Sequence, residues 1–148
     1  MALEEALRAE AWLLGRRSYE FFASRWPSRK GQLADKLNSL QKYVFSSTLE
    51  KPTWNNTVVL KGDTVNVISQ LKEKLNGEIV IPASFQLVNQ LIENDLVDEI
   101  RLMIYPFVLG AGKRLFGETS AKKLMRLIHV QAVGDNLALL TYERLRDA

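Results

Sequence analysis

Short apolar runs alternate with segments of helical periodicity over the first two thirds of this chain. Runs typical of strands cover residues 12–14, 42–46, 57–60 and 78–81. Between and before them, apolar residues recur every three to four positions, which predicts helices near residues 1–10, 19–24, 33–37, 64–76 and 85–94. Strands that alternate with helices pair in parallel, because each crossover returns the chain to the same end of the sheet. This alternation predicts a mostly parallel sheet.

The chain becomes rich in β-forming residues from residue 98 onward. Strands are predicted over residues 100–108, 124–133 and 137–145, and Gly134, Asp135 and Asn136 join the last two as a hairpin. Consecutive strands joined in this way are antiparallel. The sequence therefore predicts an α/β fold, a three-layer αβα sandwich with a mostly parallel central sheet and an antiparallel C-terminal edge, in a single domain over residues 1–148.

Composition excludes several classes of protein. The 148 residues are 47% apolar and carry a net charge of +3, with basic and acidic residues interspersed. Nucleic-acid binding usually needs basic residues massed together, so no nucleic-acid partner is predicted. The longest apolar runs fall short of the roughly 20 residues of a membrane span, and the N-terminus does not resemble a secretion signal. The absence of cysteine is compatible with a cytoplasmic location, which we expect.

Three loops follow predicted parallel strands and are candidates for a ligand site. They begin at Gly15, Ser46 and Pro82, and ligands of open α/β sheets bind outside the carboxyl ends of strands. In the first loop, Gly15, Arg16, Arg17 and Ser18 place free backbone N–H groups and two guanidinium groups at a helix start, as phosphate binding requires. The alternative is an ordinary strand-to-helix turn with both arginines solvated.

Five ordered segments carry a resemblance to a known family. They are residues 14–20 (LGRRSYE), 42–49 (KYVFSSTL), 54–57 (WNNT), 96–102 (LVDEIRL) and 106–116 (PFVLGAGKRLF). Together they resemble the dihydrofolate-reductase-like family that contains the C-terminal reductase domain of the bifunctional riboflavin-biosynthesis deaminase/reductase. The resemblance covers nearly the whole chain. It implies an NADPH-dependent reductase of a small heterocyclic or carbonyl substrate, such as a riboflavin precursor or a pteridine, and a homodimer.

The resemblance also implies which residues hold the cofactor NADPH. Arg16 and Arg17 would pair with its 2′-phosphate or pyrophosphate, and Ser18 would donate from the helix start beside Gly15. The loop with Gly110 would lie near the nicotinamide. The full set of implied cofactor-binding residues is Gly15, Arg16, Arg17, Ser18, Ser46, Ser47, Thr48, Pro82, Ala83, Ser84, Gly110, Gly112 and Lys113. An alternative interpretation of Ser46, Ser47 and Thr48 is an ordinary strand-to-loop cap.

The chain departs from the family pattern in two places. Relatives have glycine and a small residue where this chain has Pro82, Ala83 and Ser84; proline has no N–H, and alanine adds a Cβ at a position of close backbone approach. Relatives also begin with a further strand that this sequence does not show, which would leave strand edges open. Both departures keep a second function open, a non-catalytic binding or dimerisation module.

Residues that could bind a metal have ordinary interpretations. His129 stands alone on a predicted strand, without a partner at metal or triad spacing. Glu93, Asp95, Asp98 and Glu99 mark a helix end and a strand start, where carboxylates are common. No metal site is predicted.

Overall fold

The computed structural model describes residues 2–112 and 114–145, and the chain divides into two compact units, residues 1–88 and 89–148. The elements of the first unit are α1 (Ala2–Arg8), β1 (Ala9–Gly15), α2 (Arg16–Ala23), α3 (Gln32–Ser39), β2 (Gln41–Phe45), β3 (Thr57–Leu60), α4 (Thr64–Lys74) and β4 (Glu78–Val80). Helix α5 (Phe85–Glu93) spans the boundary. The second unit holds β5 (Glu99–Ile104), β6 (Met125–Val133) and β7 (Leu137–Arg144). The single domain over residues 1–148 stays a prediction.

The first unit is built on a four-stranded parallel sheet with the order β3-β2-β1-β4. Every pairing in it is parallel, as the alternation of strands and helices predicted. Strand β1 has neighbours on both sides, and its residues Ala11, Trp12, Leu13 and Leu14 are all buried. A strand that is apolar on both faces suits the interior of a parallel sheet covered by helices. The sheet therefore brings the ends of β2, β1 and β4 side by side.

An aromatic cluster forms the core next to this sheet. Trp12 meets Trp54 edge-on at a ring-centroid distance of 6.5 Å and meets Phe22 at 5.2 Å. The hydroxyl of buried Tyr19 accepts hydrogen bonds from the backbone N–H groups of Thr53 and Trp54, at 2.9 and 3.1 Å. Side chains from β1 and α2 thereby hold the loop that leads into β3. Trp12 and Trp54 are therefore both part of the buried core.

Lys42 is the largest completely buried side chain of the core. Its Nζ donates to the carbonyl oxygens of Leu37 at 2.7 Å and Leu40 at 2.8 Å, at the C-terminal end of α3, and lies 4.2 Å from the centre of the Trp54 ring. The ammonium group thus caps helix carbonyls that would otherwise lack partners. Burial lowers the pKa of Lys42 from 10.5 to about 8.

The lowered pKa of Lys42 predicts a rise in stability at alkaline pH. Between pH 8 and 10.5 the unfolded chain retains a proton on Lys42 that the folded chain has released, so raising the pH through this window favours folding. We compare the free energy of unfolding of the wild type with that of Lys42→Met at each pH. The difference, wild type minus variant, is expected to increase by about 1–3 kcal/mol from pH 7.5 to 10.5. Urea titrations at several pH values measure it. The exposed Lys61→Met is the control for the loss of a lysine side chain, and a pH dependence for Lys42→Met no larger than that of this control would contradict the prediction.

The second unit contains a three-stranded antiparallel sheet with the order β5-β7-β6. The hairpin predicted at Gly134, Asp135 and Asn136 is confirmed, and its two strands pair from Val133 opposite Leu137 to Met125 opposite Arg144. Strand β5 ends at Ile104 rather than at residue 108 as predicted. The reason is Pro106, which has no N–H for a sheet ladder and restricts the residue before it.

The α/β class is confirmed, with one difference in the sheet. The antiparallel strands form a sheet of their own, whereas the sequence predicted them as an edge of the parallel sheet. Among the described strands, β4 pairs only with β1, and β5 pairs only with β7. The strand that the resemblance implied ahead of α1 is not among the described elements. In the part of the chain that is described, no helix has the length and apolar character needed to cross a bilayer.

Candidate functional site

The three candidate loops of the first unit lie at the same edge of the parallel sheet. Gly15 ends β1, Ser46 follows β2 and the segment from Pro82 to Ser84 follows β4 by one residue. Since β2, β1 and β4 are neighbours and parallel, their carboxyl ends meet at one edge. Hydrogen bonds join the first loop to each of the other two. The sequence prediction that these loops form one site is consistent with this arrangement.

A hydroxyl network links the ends of β1 and β4. The backbone N–H of Gly15 donates to Ser84 Oγ at 2.8 Å, and that same hydroxyl donates to Ser18 Oγ at 2.8 Å. Gly15 itself has ordinary extended angles, φ −77° and ψ 170°, as the N-cap of α2. A Cβ on Gly15 would lie 3.4 Å from Ser84 Oγ, which is a normal contact. The local conformation therefore does not require glycine here.

Ser84 has an unusual backbone conformation for its residue type. Its φ is +79°, in the left-handed region that glycine adopts at low cost. Its carbonyl accepts the Val88 N–H at 2.9 Å and so begins α5, but its side chain bonds Gly15 and Ser18 instead of capping that helix. Non-glycine residues held at positive φ cluster at functional sites, where the surrounding structure maintains the strain.

Arg16 connects the ends of β1 and β2. Its Nη1 donates to Thr48 Oγ1, and its Nε donates to Glu20 Oε1 at 2.7 Å, one turn further along α2. The guanidinium group remains largely exposed, as does the Glu20 carboxylate. An arginine held by a carboxylate on one side and presented to solvent on the other is oriented to bind an anion such as phosphate through its planar guanidinium group.

The remaining predicted residues of these loops have different environments. Buried Ser46 accepts the N–H groups of Thr48 at 3.2 Å and Leu49 at 3.1 Å, which is the strand-to-loop cap considered as its alternative role. Exposed residues at this sheet edge are Arg17, Ser47, Pro82 and Ala83. All peptide bonds of the described residues are trans, including the bond between Pro82 and Ala83.

The glycine-rich loop predicted near the nicotinamide belongs to the second unit. Gly110 has a φ of +88°, a conformation that favours glycine, and it is exposed, as is Gly112. Lys113 lies outside the described residues. The role of these three residues stays a prediction.

The donors at the carboxyl ends of β1, β2 and β4 suit the anionic part of a dinucleotide. The first turn of the eight-residue helix α2 presents backbone N–H groups that have no partner within the helix. The Arg16 guanidinium and the hydroxyls of Ser18, Thr48 and Ser84 surround that turn, and helix starts of this kind attract phosphate. No cluster of metal-ligating side chains occurs in residues 2–112 and 114–145. The residues present thus fit a phosphate-bearing cofactor.

Comparison with solved structures defines the class of fold. The chain superimposes on a dihydrofolate reductase from Enterococcus faecalis, solved with NADP(H), with a TM-score of 0.67 at 17% identity, covering 95% of this chain and 78% of that one. It superimposes on a "putative riboflavin biosynthesis protein" from Shewanella sp. PV-4 with a TM-score of 0.79 at 26% identity, covering 98% of this chain and 78% of the other. The fold is dihydrofolate-reductase-like, as the resemblance implied.

Sequence comparison gives the family. Residues 3–139 match the RibD C-terminal domain, and the chain belongs to that family. It is 26% identical over 135 residues to the uncharacterized protein YyaP of Bacillus subtilis, an alignment that covers 88% of this chain and 71% of that protein. Family and fold together are reductase-like, which agrees with the identification made from the five sequence segments.

Proposed function

We propose that this chain is an NADPH-dependent reductase that transfers a hydride to a small heterocyclic or carbonyl substrate, such as a riboflavin precursor or a pteridine-like compound. Its family, the RibD C-terminal domain, and its dihydrofolate-reductase-like fold support this proposal. We also propose that it works in the cytoplasm, with which a chain free of cysteine is compatible.

The observation that carries the proposal is the convergence of anion-binding groups where β1, β2 and β4 end. Arg16 contacts Thr48, and Ser84 contacts both Gly15 and Ser18, so side chains from three separate loops meet at the start of α2. A merely structural turn does not need an exposed arginine oriented by a carboxylate partner. The strained φ of Ser84 at the same place supports a functional role.

The roles of the residues follow from their positions. The helix start at Gly15, with Ser18, would hold the pyrophosphate, and Arg16 with Thr48 would hold the phosphate at the adenosine end. Bound NADPH would supply the hydride, so the protein need not provide an acid–base pair in this part of the sheet. What the chain contributes is binding and orientation of the cofactor and exclusion of water from the reacting atoms.

Titration of the purified protein with NADPH, followed by nicotinamide fluorescence, tests the proposal. We expect saturable binding with a dissociation constant between about 1 μM and 1 mM, the usual range for such ligands. The matched titration with NADH should show weaker binding, because NADH lacks the 2′-phosphate that Arg16 is proposed to contact. Absence of saturable binding of NADPH over that range would overturn the proposal.

A second function is a reductase-like module that has lost cofactor binding. Two observations favour it: Pro82 has no N–H to offer a pyrophosphate, and the Ser84 hydroxyl already occupies the Gly15 N–H. A ligand phosphate would have to displace that hydroxyl. Under this alternative the loop after β4 has become a structural element that closes the end of β1.

The double variant Pro82→Gly/Ala83→Gly distinguishes the two functions. If the wild-type chain is the reductase, the double variant should bind NADPH within about threefold of it, since the donors on α2 and Arg16 are unchanged. If cofactor affinity is absent from the wild type and is gained only by the double variant, the chain is the non-catalytic module. Fluorescence titration of both proteins side by side makes the comparison, and urea unfolding checks that the variant is folded.

A further inference from the structure

The turn between α4 and β4 contains an asparagine followed by a glycine. Asn76 and Gly77 are both exposed, and they lie between the end of the helix at Lys74 and the start of the strand at Glu78. Of the eight asparagines in the chain, Asn76 alone precedes a glycine. A glycine has no Cβ to hinder the approach of its backbone nitrogen to the preceding side chain, and its backbone is conformationally free. An exposed pair of this kind is where an asparagine side chain cyclises most readily.

The carboxylate of Glu10 holds the backbone N–H of Gly77. The register of β1 against β4 shifts between Ala9 and Ala11, so Glu10 is an extra residue in β1. A bulge of this kind redirects a side chain. The Glu10 carboxylate accepts the Gly77 N–H at 2.8 Å, and a Cβ on Gly77 would lie 2.9 Å from the Glu10 Cβ. The close approach of the two segments therefore requires glycine at residue 77.

We infer that Asn76 is a site of spontaneous deamidation and that Glu10 slows this reaction. In the first step the Gly77 nitrogen loses its proton and bonds to Asn76 Cγ. The Cγ–Nδ2 bond breaks, ammonia leaves with the proton taken from Gly77, and a succinimide ring remains. Water then adds to one of the two ring carbonyls and opens the ring, which gives aspartate or isoaspartate at position 76. The inference does not depend on the proposed reductase activity.

The hydrogen bond from Gly77 to Glu10 opposes the first step. The attacking species is the deprotonated amide, and a carboxylate oxygen 2.8 Å from that nitrogen both holds the proton and repels the negative charge that would replace it. Glu10 is exposed, and exposed hydrogen bonds open locally more often than the protein unfolds. Asn76 should therefore react in the folded chain, at a rate set by this hydrogen bond.

Both products change the same turn. Either one places a second carboxylate close to that of Glu10, and like charges at short range repel. Isoaspartate also adds one carbon to the backbone between α4 and β4. Strand β4 has only three residues, so the turn is a large part of what holds this segment beside β1. Deamidation is therefore expected to weaken the contact between Glu10 and Gly77.

Incubation of the purified chain at mildly alkaline pH, followed by peptide mapping with mass spectrometry, tests the inference. Trypsin releases residues 75–101 as one peptide, which contains Asn76, Asn89 and Asn94, so the last two are internal references. In the wild type, they should deamidate at least about tenfold more slowly than Asn76, because the residues that follow them carry side chains. Enzymatic methylation of isoaspartate should confirm that the reaction passes through the succinimide. A zero-time sample handled in the same way gives the background.

Three variants test the role of Glu10. Glu10→Ala should deamidate at Asn76 at least about fivefold faster than the wild type, because a charge-assisted hydrogen bond is lost. Glu10→Gln keeps a neutral acceptor and should react at an intermediate rate. Glu73→Ala is the matched control: it removes the same carboxylate from an exposed position on α4, close to the turn, and should leave the rate within about twofold of wild type. Circular dichroism checks that each variant is folded.

Four results would overturn the inference. An Asn76 amide that lasts as long as that of Asn94 removes the modification site. Equal rates in Glu10→Ala and Glu73→Ala remove the role of Glu10, and a slower reaction in Glu10→Ala makes its carboxylate a base that promotes the reaction. Parallel acceleration at Asn89 and Asn94 in both Glu10 variants attributes the change to a loosened fold rather than to the hydrogen bond.

Discussion

Replacing Arg16 with glutamine is expected to weaken NADPH binding about 10- to 100-fold while changing NADH binding less than about threefold. Arg16 contacts Thr48 at the end of β2, the side of the site proposed for the adenosine phosphate, and Glu20 holds its guanidinium in place. A charge-assisted hydrogen bond from that group to the 2′-phosphate would be lost in the variant. Parallel fluorescence titrations with the two nucleotides measure the change in selectivity.

The control for this variant is Arg29→Gln. The Arg29 guanidinium stacks on the Trp26 ring at 4.5 Å, and it belongs to none of the three loops at the sheet edge. Its replacement removes the same charge from the chain, so any general electrostatic effect on an anionic ligand will show in both variants. If Arg16→Gln and Arg29→Gln weaken NADPH equally, the direct contact assigned to Arg16 is wrong.

Truncation of Trp54 is expected to cause the largest loss of stability, about 3–5 kcal/mol for Trp54→Ala. Trp54 is buried; its ring packs edge-on against Trp12 and beside Lys42, and its Nε1 donates to Asn38 Oδ1 at 2.6 Å. Removing the ring leaves a cavity and takes a hydrogen-bond partner from Asn38. Urea unfolding followed by circular dichroism gives the change in free energy of unfolding.

The conservative variant Trp54→Phe separates the two contributions. It keeps most of the aromatic packing and removes the hydrogen bond to Asn38, so it should cost about 1–2 kcal/mol. A loss below about 1 kcal/mol for Trp54→Ala would contradict the core described for the first unit. The parallel sheet and the candidate site both depend on that core, because Tyr19 in α2 holds the backbone of Trp54.

The order of strands and helices could be predicted because periodicity is a local property of the sequence. Asp63 at the start of α4 illustrates this: aspartate is a preferred N-cap residue, and its carboxylate accepts the Asn66 N–H at 3.1 Å. The early end of β5 could also have been predicted, from Pro106. The separation of the strands into two sheets could not, because pairing between distant strands is not encoded in the periodicity of either one.

The sequence predicted which loops form the candidate site, but it did not predict the hydrogen bonds between them. Gly15 at the end of β1 and the hydroxyl residues after β2 suggested phosphate binding, and both lie at the sheet edge. The contacts of Ser84 were not predicted: its side chain bonds Gly15 and Ser18. Its positive φ is normally a glycine property, so the residue type gave no signal. The burial of Lys42 was not predicted either. A lysine is normally exposed, and the carbonyl groups that make its burial possible belong to the end of the preceding helix.

The central claim is that the ends of β1, β2 and β4 bind the anionic part of the cofactor. Backbone amide hydrogen exchange with and without NADPH tests this claim most directly. Slower exchange is expected at residues 15–18 and 46–49 in the presence of saturating NADPH, with no change in β3, which adjoins β2 but lies outside the three loops. Protection that avoids these loops while NADPH is bound, or no saturable binding at all, would contradict the account.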